Sequence, residues 1–264
     1  PDPDYLVIES TYGDRLHEGD FDAEKRLGEI IRSTAEKGGK VVIPAFAIER
    51  TQELIYHLHL LSDRGEIPDI PIFVDSPMAT NATAIFRIHP ECYDAETNEA
   101  FIRHHQNPFG FNSLRYTSSA EDSKRINDIK GPAIIISADG MCEAGRIRHH
   151  LIQTVEKPEN TILIVGYMAQ HTLGRRIQEK SKIIKIFGDS FTLRARVESL
   201  NAFSAHADYN EIISYVSALD LEKLKKVFMV HGEPEAQANL EKELLKTGVK
   251  SVEIVKYGES YNLK

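Results

Sequence analysis

Four short runs constrain the fold of this chain more than anything else in it. Lys40-Val41-Val42-Ile43-Pro44, Ile70-Pro71-Ile72-Phe73-Val74, Ala133-Ile134-Ile135-Ile136 and Ile162-Leu163-Ile164-Val165 are continuous, apolar and rich in β-branched residues. Such runs keep no polar face for water, so they fit strands covered on both sides, as in a parallel sheet. Between them lie helix candidates: Asp22 to Lys37, Ile48 to Leu61, Ala82 to Ile88, Ala120 to Ile129 and Gly145 to Val155. Gly38-Gly39 stops the first of these ahead of its strand. The alternation predicts an α/β fold with a doubly wound, mostly parallel sheet.

After about Lys180 the pattern changes. Ile183 to Phe187 and Phe191 to Ala202 flank Gly188-Asp189, which predicts an antiparallel hairpin. A loop around His206 comes next, then a helix from Tyr209 to Ala218, a strand from Val227 to Val230, a helix from Glu235 to Lys246 and a closing strand from Val252 to Lys256.

At 264 residues the chain is long enough for one large or two ordinary domains. A composition of 41% hydrophobic and 27% charged residues excludes a disordered chain. No apolar stretch approaches the ~18 residues of a membrane span, and no basic-then-apolar signal pattern opens the sequence. Cys92 and Cys142 are too few for a disulfide framework or a cysteine-based zinc site, which points to a reducing, cytoplasmic setting. The net charge of −8 is unevenly spread, since Arg146 to Lys185 holds eight Lys/Arg against three Glu. That zone reads either as a phosphate-binding patch or as solvated helix surface.

Three runs carry chemistry. Val227-Phe228-Met229-Val230 is an apolar strand with His231 at its carboxyl end, Gly232 at the turn and Pro234 in the first turn of the next helix. Ligands gather beyond the carboxyl ends of strands in open α/β sheets, and a neutral imidazole there can offer a nitrogen to zinc. A lone histidine at a strand end is nonetheless more often a satisfied or solvent-facing residue. Tyr5-Leu6-Val7-Ile8 delivers Glu9-Ser10-Thr11-Tyr12-Gly13, which reads as a site edge or as an ordinary turn. The third run is Phe203-Ser204-Ala205-His206-Ala207-Asp208-Tyr209.

Taken in order, Glu-Ser-Thr-Tyr-Gly, Phe-Ser-Ala-His-Ala-Asp and Val-His-Gly-Glu resemble the β-CASP branch of the metallo-β-lactamase superfamily, a group of RNA-processing nucleases. The runs Ile43 to Leu54, Val74 to Ala79, Gly140 to Arg146 and Thr172 to Arg176 agree with it, so the resemblance covers nearly the whole chain. It implies an inserted β-CASP domain at about residues 20 to 180, flanked by pieces of one metallo-β-lactamase αββα domain at residues 1 to 19 and 181 to 264. It also implies RNA as partner, an active site in the cleft between the domains, and two zinc ions that activate water for attack on a phosphodiester. A homodimer is compatible with it.

Carried over residue by residue, His231 resembles the last zinc ligand. His206 resembles the histidine that faces the scissile phosphate, and Glu9 the acid that contacts and orients it. Glu233 has two readings, as a support for the metal site or as a carboxylate favoured at a helix start. Ser204, Ser76, Arg50, Gly140 and Arg146 are candidates for substrate contact. Ser204 can donate to a phosphate oxygen or bond its own backbone. Ser76 lies just after an internal strand of the insert. Gly140 lies in a loop whose amides can receive an anion before a helix, although Asp139 beside it would repel phosphate. Arg50 can cap a carboxylate or reach RNA.

The family's His-x-His-x-Asp-His run is not found in the sequence. The nearest approximation, His57-Leu58-His59, falls in a helical stretch where residues two apart point about 200° from each other and cannot share a metal. The resemblance therefore implies a chain that begins midway through the catalytic domain, carries an incomplete zinc site and is inactive alone. A second reading is a non-catalytic RNA-binding or scaffold subunit of the same fold.

Overall fold

Valine and isoleucine dominate the strand runs because their branched side chains fill both faces of a pleated layer. The computed structural model describes residues 2–17, 20–99 and 107–263. In chain order its strands are β1 (Tyr5–Glu9), β2 (Lys40–Pro44), β3 (Ile72–Asp75), β4 (Leu114–Tyr116), β5 (Ala133–Ser137), β6 (Thr161–Ile164), β7 (Ile183–Ile186), β8 (Asp189–Thr192), β9 (Arg196–Ser199), β10 (Lys226–Val230) and β11 (Val252–Ile254). The helices are α1 (Asp20–Ala35), α2 (Arg50–Asp63), α3 (Pro77–Ile88), the single turn α4 (Ala95–Thr97), α5 (Ala120–Asp128), α6 (Ile147–Thr154), α7 (Leu173–Gln178), α8 (Tyr209–Ser217) and α9 (Pro234–Lys246). Among the described residues no helix is long and apolar enough to cross a membrane.

Two compact units result, residues 18–203 and residues 1–17 with 204–264. In the larger unit, six parallel strands run in the order β4-β3-β5-β2-β6-β9. Val41, Ile43, Ile72, Val74, Ile134 and Ile136 join residues of α1 and α2 in one core cluster. Their neighbours Val42, Phe73, Ile135, Ile162 and Ile164 join α5, α6 and α7 in another. Helices on both faces of a parallel sheet are the doubly wound arrangement the strand runs predict.

Residues 181–203 pack with this unit, so the compact division falls at 203/204, whereas the domain boundary that the family resemblance implies lies near 180. Ile184 and Ile186 of β7 and Val197 of β9 supply the reason, since all three are buried in its second cluster. The strand expected from Phe191 to Ala202 is in fact two. β8 pairs antiparallel with β7 across Phe187 and Gly188, both at positive φ as a tight two-residue turn requires, and β9 pairs parallel with β6. His57 and His59 have structural partners, Glu24 at 2.8 Å and the Pro108 carbonyl at 3.0 Å.

The smaller unit is a three-stranded parallel sheet in the order β1-β10-β11. Val227 and Met229 of the central strand pack with Ile212 and Val216 of α8 and with Leu240 and Leu244 of α9. Asp208 starts α8 with a capping box. Its carboxylate accepts the Glu211 amide at 3.0 Å, and its own amide donates to the Glu211 carboxylate at 2.9 Å.

One carboxylate of the larger unit is wholly enclosed. Asp75, the last residue of β3, is 0% exposed. It accepts hydrogen bonds from Thr117 at 2.5 Å, Ser123 at 2.5 Å, Arg146 at 2.8 Å and His150 Nε2 at 2.7 Å. Burial alone would raise its pKa, but the bonds from His150, Ser123, Thr117 and Arg146 prevail and hold it well below the usual carboxylate range. The unfolded chain therefore takes up this proton more readily than the folded one. The stability it supplies is present above about pH 4 and is lost as the pH falls further. Asp75→Asn is expected to lower stability at pH 7 by about 3–5 kcal/mol in urea unfolding and to flatten the acid limb. Matching acid limbs in variant and parent would show that the four bonds carry no folding energy.

Candidate metal and catalytic centre

Parallel pairing of β1 with β10 sets Glu9 beside Val230, so the two strands end together. The chain then turns sharply at both ends. The Ser10 hydroxyl donates to the Val230 carbonyl at 2.7 Å. Gly232 lies so close to the Ser10 hydroxyl and carbonyl that a Cβ would overlap both. His231 is held at a φ of 54°, a left-handed conformation that costs a non-glycine residue about 1–2 kcal/mol. A hydrogen bond from Thr11 to the His231 carbonyl, at 2.9 Å, opposes that cost.

Thr11 is the hub of the cluster, and it is 2% exposed. Its hydroxyl lies 2.6 Å from Glu9 Oε2, 2.9 Å from His231 Nδ1 and 3.4 Å from His206 Nδ1. A hydroxyl has one proton and two lone pairs. With the proton directed to the Glu9 carboxylate or the His231 carbonyl, a lone pair faces His231 Nδ1. That arrangement selects the Nδ1–H tautomer and leaves the Nε2 lone pair of His231 open.

The loop before α8 brings in the third group. His206 Nδ1 lies 2.6 Å from Glu9 Oε2, and the other Glu9 oxygen accepts the Ala207 amide at 3.3 Å. The loop is pinned from residue 17, whose Nε2 meets the His206 carbonyl at 2.6 Å and whose amide donates to Asp208 at 2.9 Å. Burial would raise the Asp208 carboxyl, but the amides of His17 and Glu211 hold it below its ordinary value. The His206 and His231 rings lie 5.0 Å apart, and ligand atoms of Glu9, His206 and His231 fall within 4.8 Å of one another.

These donors suit zinc chemically, a carboxylate oxygen with two imidazole nitrogens. Their geometry divides them. Glu9 and His206 are spent on each other in a hydrogen bond, whereas His231 is exposed, anchored through Nδ1 and open at Nε2. His231 fits a metal as one ligand, and one ligand does not make a site.

The other candidates have partners of their own. In the smaller unit, Ser204 Oγ accepts the His206 amide at 3.4 Å. Glu233 occupies the N-cap position of α9 without a side-chain cap bond. The remainder belong to the larger unit. Ser76 caps α3 by accepting the Ala79 amide at 3.2 Å. Arg50 pairs with Glu53, and Arg146 pairs with Asp75. Gly140 packs against Phe46, whose ring is 3.3 Å from where a Cβ would stand. The amides of its loop already hold an anion, because Asp139 accepts from Met141 at 2.5 Å and Ala144 at 2.6 Å. Sequence reasoning overlooked Thr11 and His17. Thr11 had a signal, its place two residues after Glu9, whereas His17 had none.

Thr11→Val keeps the side-chain volume and removes the hub. A loss of about 1–3 kcal/mol in urea unfolding is expected, with Thr11→Ser close to the parent. Equal stability of the two variants would show that the hydroxyl does not hold these turns.

Comparison with known proteins gives the family. A family model described as "Beta-Casp domain" matches residues 51–177, and one described as "Zn-dependent metallo-hydrolase RNA specificity domain" matches residues 191–255. The chain is 35% identical to Ribonuclease TTHA0252 of Thermus thermophilus, over 98% of its own length and 59% of the relative's. It is 35% identical to Transcription termination factor FttA of Pyrococcus abyssi, over 87% of this chain and 36% of that one. It is 32% identical to Endoribonuclease ysh1 of Schizosaccharomyces pombe, over 92% and 31%. The chain thus spans about three-fifths of the first relative and about a third of the other two. With both family models and these relatives in agreement, the chain belongs to the β-CASP family of metallo-β-lactamase-type nucleases.

Proposed function

We propose that this chain is part of a zinc-dependent RNA phosphodiester hydrolase that works in RNA processing in the cytoplasm. The observation that carries the reading is the Glu9–Thr11–His206–His231 cluster, in which an oriented imidazole stands beside an open one. Zinc bound at such a centre supplies a water of lowered pKa and neutralises phosphate charge. His231 contributes its Nε2 to that site, and Thr11 fixes the ring that carries it.

His206 holds a proton for the reaction. Its Nδ1 is hydrogen-bonded to Glu9, which sets the ring plane and leaves Nε2 as the atom offered to substrate. Proton delivery from Nε2 to the leaving 3′-oxygen completes P–O cleavage. A group in this role contributes about 10²–10⁴ in rate.

Because a zinc site takes three or four protein ligands, the chain by itself is expected to be inactive. In this reading the other ligands are supplied by the rest of the whole protein. In the whole protein, His206→Ala is expected to lower cleavage of single-stranded RNA about 10²–10⁴-fold with zinc content unchanged, while His231→Ala lowers zinc content. Zinc-dependent cleavage by the isolated chain would refute the shared site. RNA binding without cleavage by the whole protein would favour a scaffold over an enzyme.

A further inference from the structure

The larger unit carries a cavity of about 300 Å³ between α5 and α6, on the face of the sheet shared by these helices. That volume is at the small end of ligand pockets and suits a single nucleotide unit. Lys124 and Asn127 of α5 line it, with Arg146, His149, Ile152 and Gln153 from the start and body of α6. Among the described residues, no carboxylate lines it.

The floor of the cavity is pre-organised. Arg146 is fixed by Asp75 at 2.8 Å and by the carbonyls of Thr117 and Ser118 at 3.4 and 2.8 Å, so it need not be ordered by a ligand. Asp75 compensates its charge, and the surplus positive charge comes from Lys124. Neither Lys124 nor His149 makes a side-chain hydrogen bond or ion pair among the described residues. The cavity runs the length of both helices, from Ala120 to Asn127 along α5 and from Arg146 to Gln153 along α6. The acids nearest on α5 are directed elsewhere. Glu121 pairs with Arg125 at 2.8 Å, and Asp122 with Arg125 at 3.3 Å and Ser119 at 2.6 Å.

His149, which lines the cavity, also contacts an exposed aromatic ring. The Phe187 ring lies 4.9 Å from that of His149, and the Arg148 guanidinium covers it at 3.8 Å. Stacked arginine and aromatic surfaces accept nucleobases without regard to sequence. We propose that this cavity binds the phosphate of a nucleotide, carried either on a free mononucleotide or within an RNA strand, with the base laid toward Phe187 and Arg148. The inference rests on the larger unit alone and holds whether or not the chain takes part in RNA cleavage.

The test is a titration of ¹⁵N-labelled chain with inorganic phosphate, AMP and a hexameric oligoadenylate, monitored at the amides of residues 120–127 and 146–153. AMP or the oligonucleotide is expected to shift these amides saturably and about tenfold more tightly than inorganic phosphate. Saturation by AMP assigns the site to a free nucleotide, and saturation by the oligonucleotide alone assigns it to a strand. The double variant Lys124→Ala/His149→Ala alters two exposed side chains and is expected to bind about tenfold more weakly with its unfolding midpoint unchanged, whereas Lys124→Arg keeps the parent affinity. No saturable shift with any probe, equal affinity for phosphate and nucleotides, or unchanged affinity in the double variant would overturn the proposal.

Discussion

The parallel pairing of β1 with β10 is the constraint on which the candidate centre depends. It aligns Glu9 with Val230 and so determines that an acid and a histidine leave the sheet side by side. Short-range contacts complete the centre. Ser10 ties the two strand ends, Gly232 permits their close approach, and Thr11 joins the two imidazoles and the carboxylate through one hydroxyl. One oxygen within 3.4 Å of all three groups links them, and Glu9, bonded to both Thr11 and His206, completes the path from one ring to the other.

The larger unit solves a different problem with similar means. Its parallel sheet is apolar on both faces, yet Asp75 ends the strand β3 in full enclosure. Four donors from three separate segments converge on it, which turns a costly buried charge into a clasp between β3, α5 and α6. The loop at Gly140 is likewise satisfied from within by Asp139. Residues that look like substrate contacts in a set of motifs therefore have structural work here, and Arg146 does that work while it lines an open cavity.

Most of the architecture was legible in the sequence because it rests on periodicity. β2 runs over the residues its apolar run marks, and α5 and α8 end within a residue of their predicted bounds. The elements missed were those without a strong local signal. β4 is three residues long, α7 is six, and β9 is set by its pairing to β6 rather than by its own composition. At the candidate centre, the family resemblance pointed to Glu9, His206 and His231, and the structure brings those three together. Thr11 escaped notice because a Ser-Thr pair after a strand is ordinary turn chemistry, and His17 because its partner is a backbone carbonyl 189 positions away.

The strands that carry the centre lie far apart in the chain, with 220 positions between Ser10 and the Val230 carbonyl it binds. Closing a flexible loop of that length costs about 5 kcal/mol of chain entropy beyond the constant term. No contact within the smaller sheet repays this until β10 exists. During synthesis β1 cannot meet β10 until the whole larger unit is made. Early folding of residues 18–203 shortens the effective loop to the gap between their two ends, so the inserted layer doubles as the device that delivers the late strand to the early one.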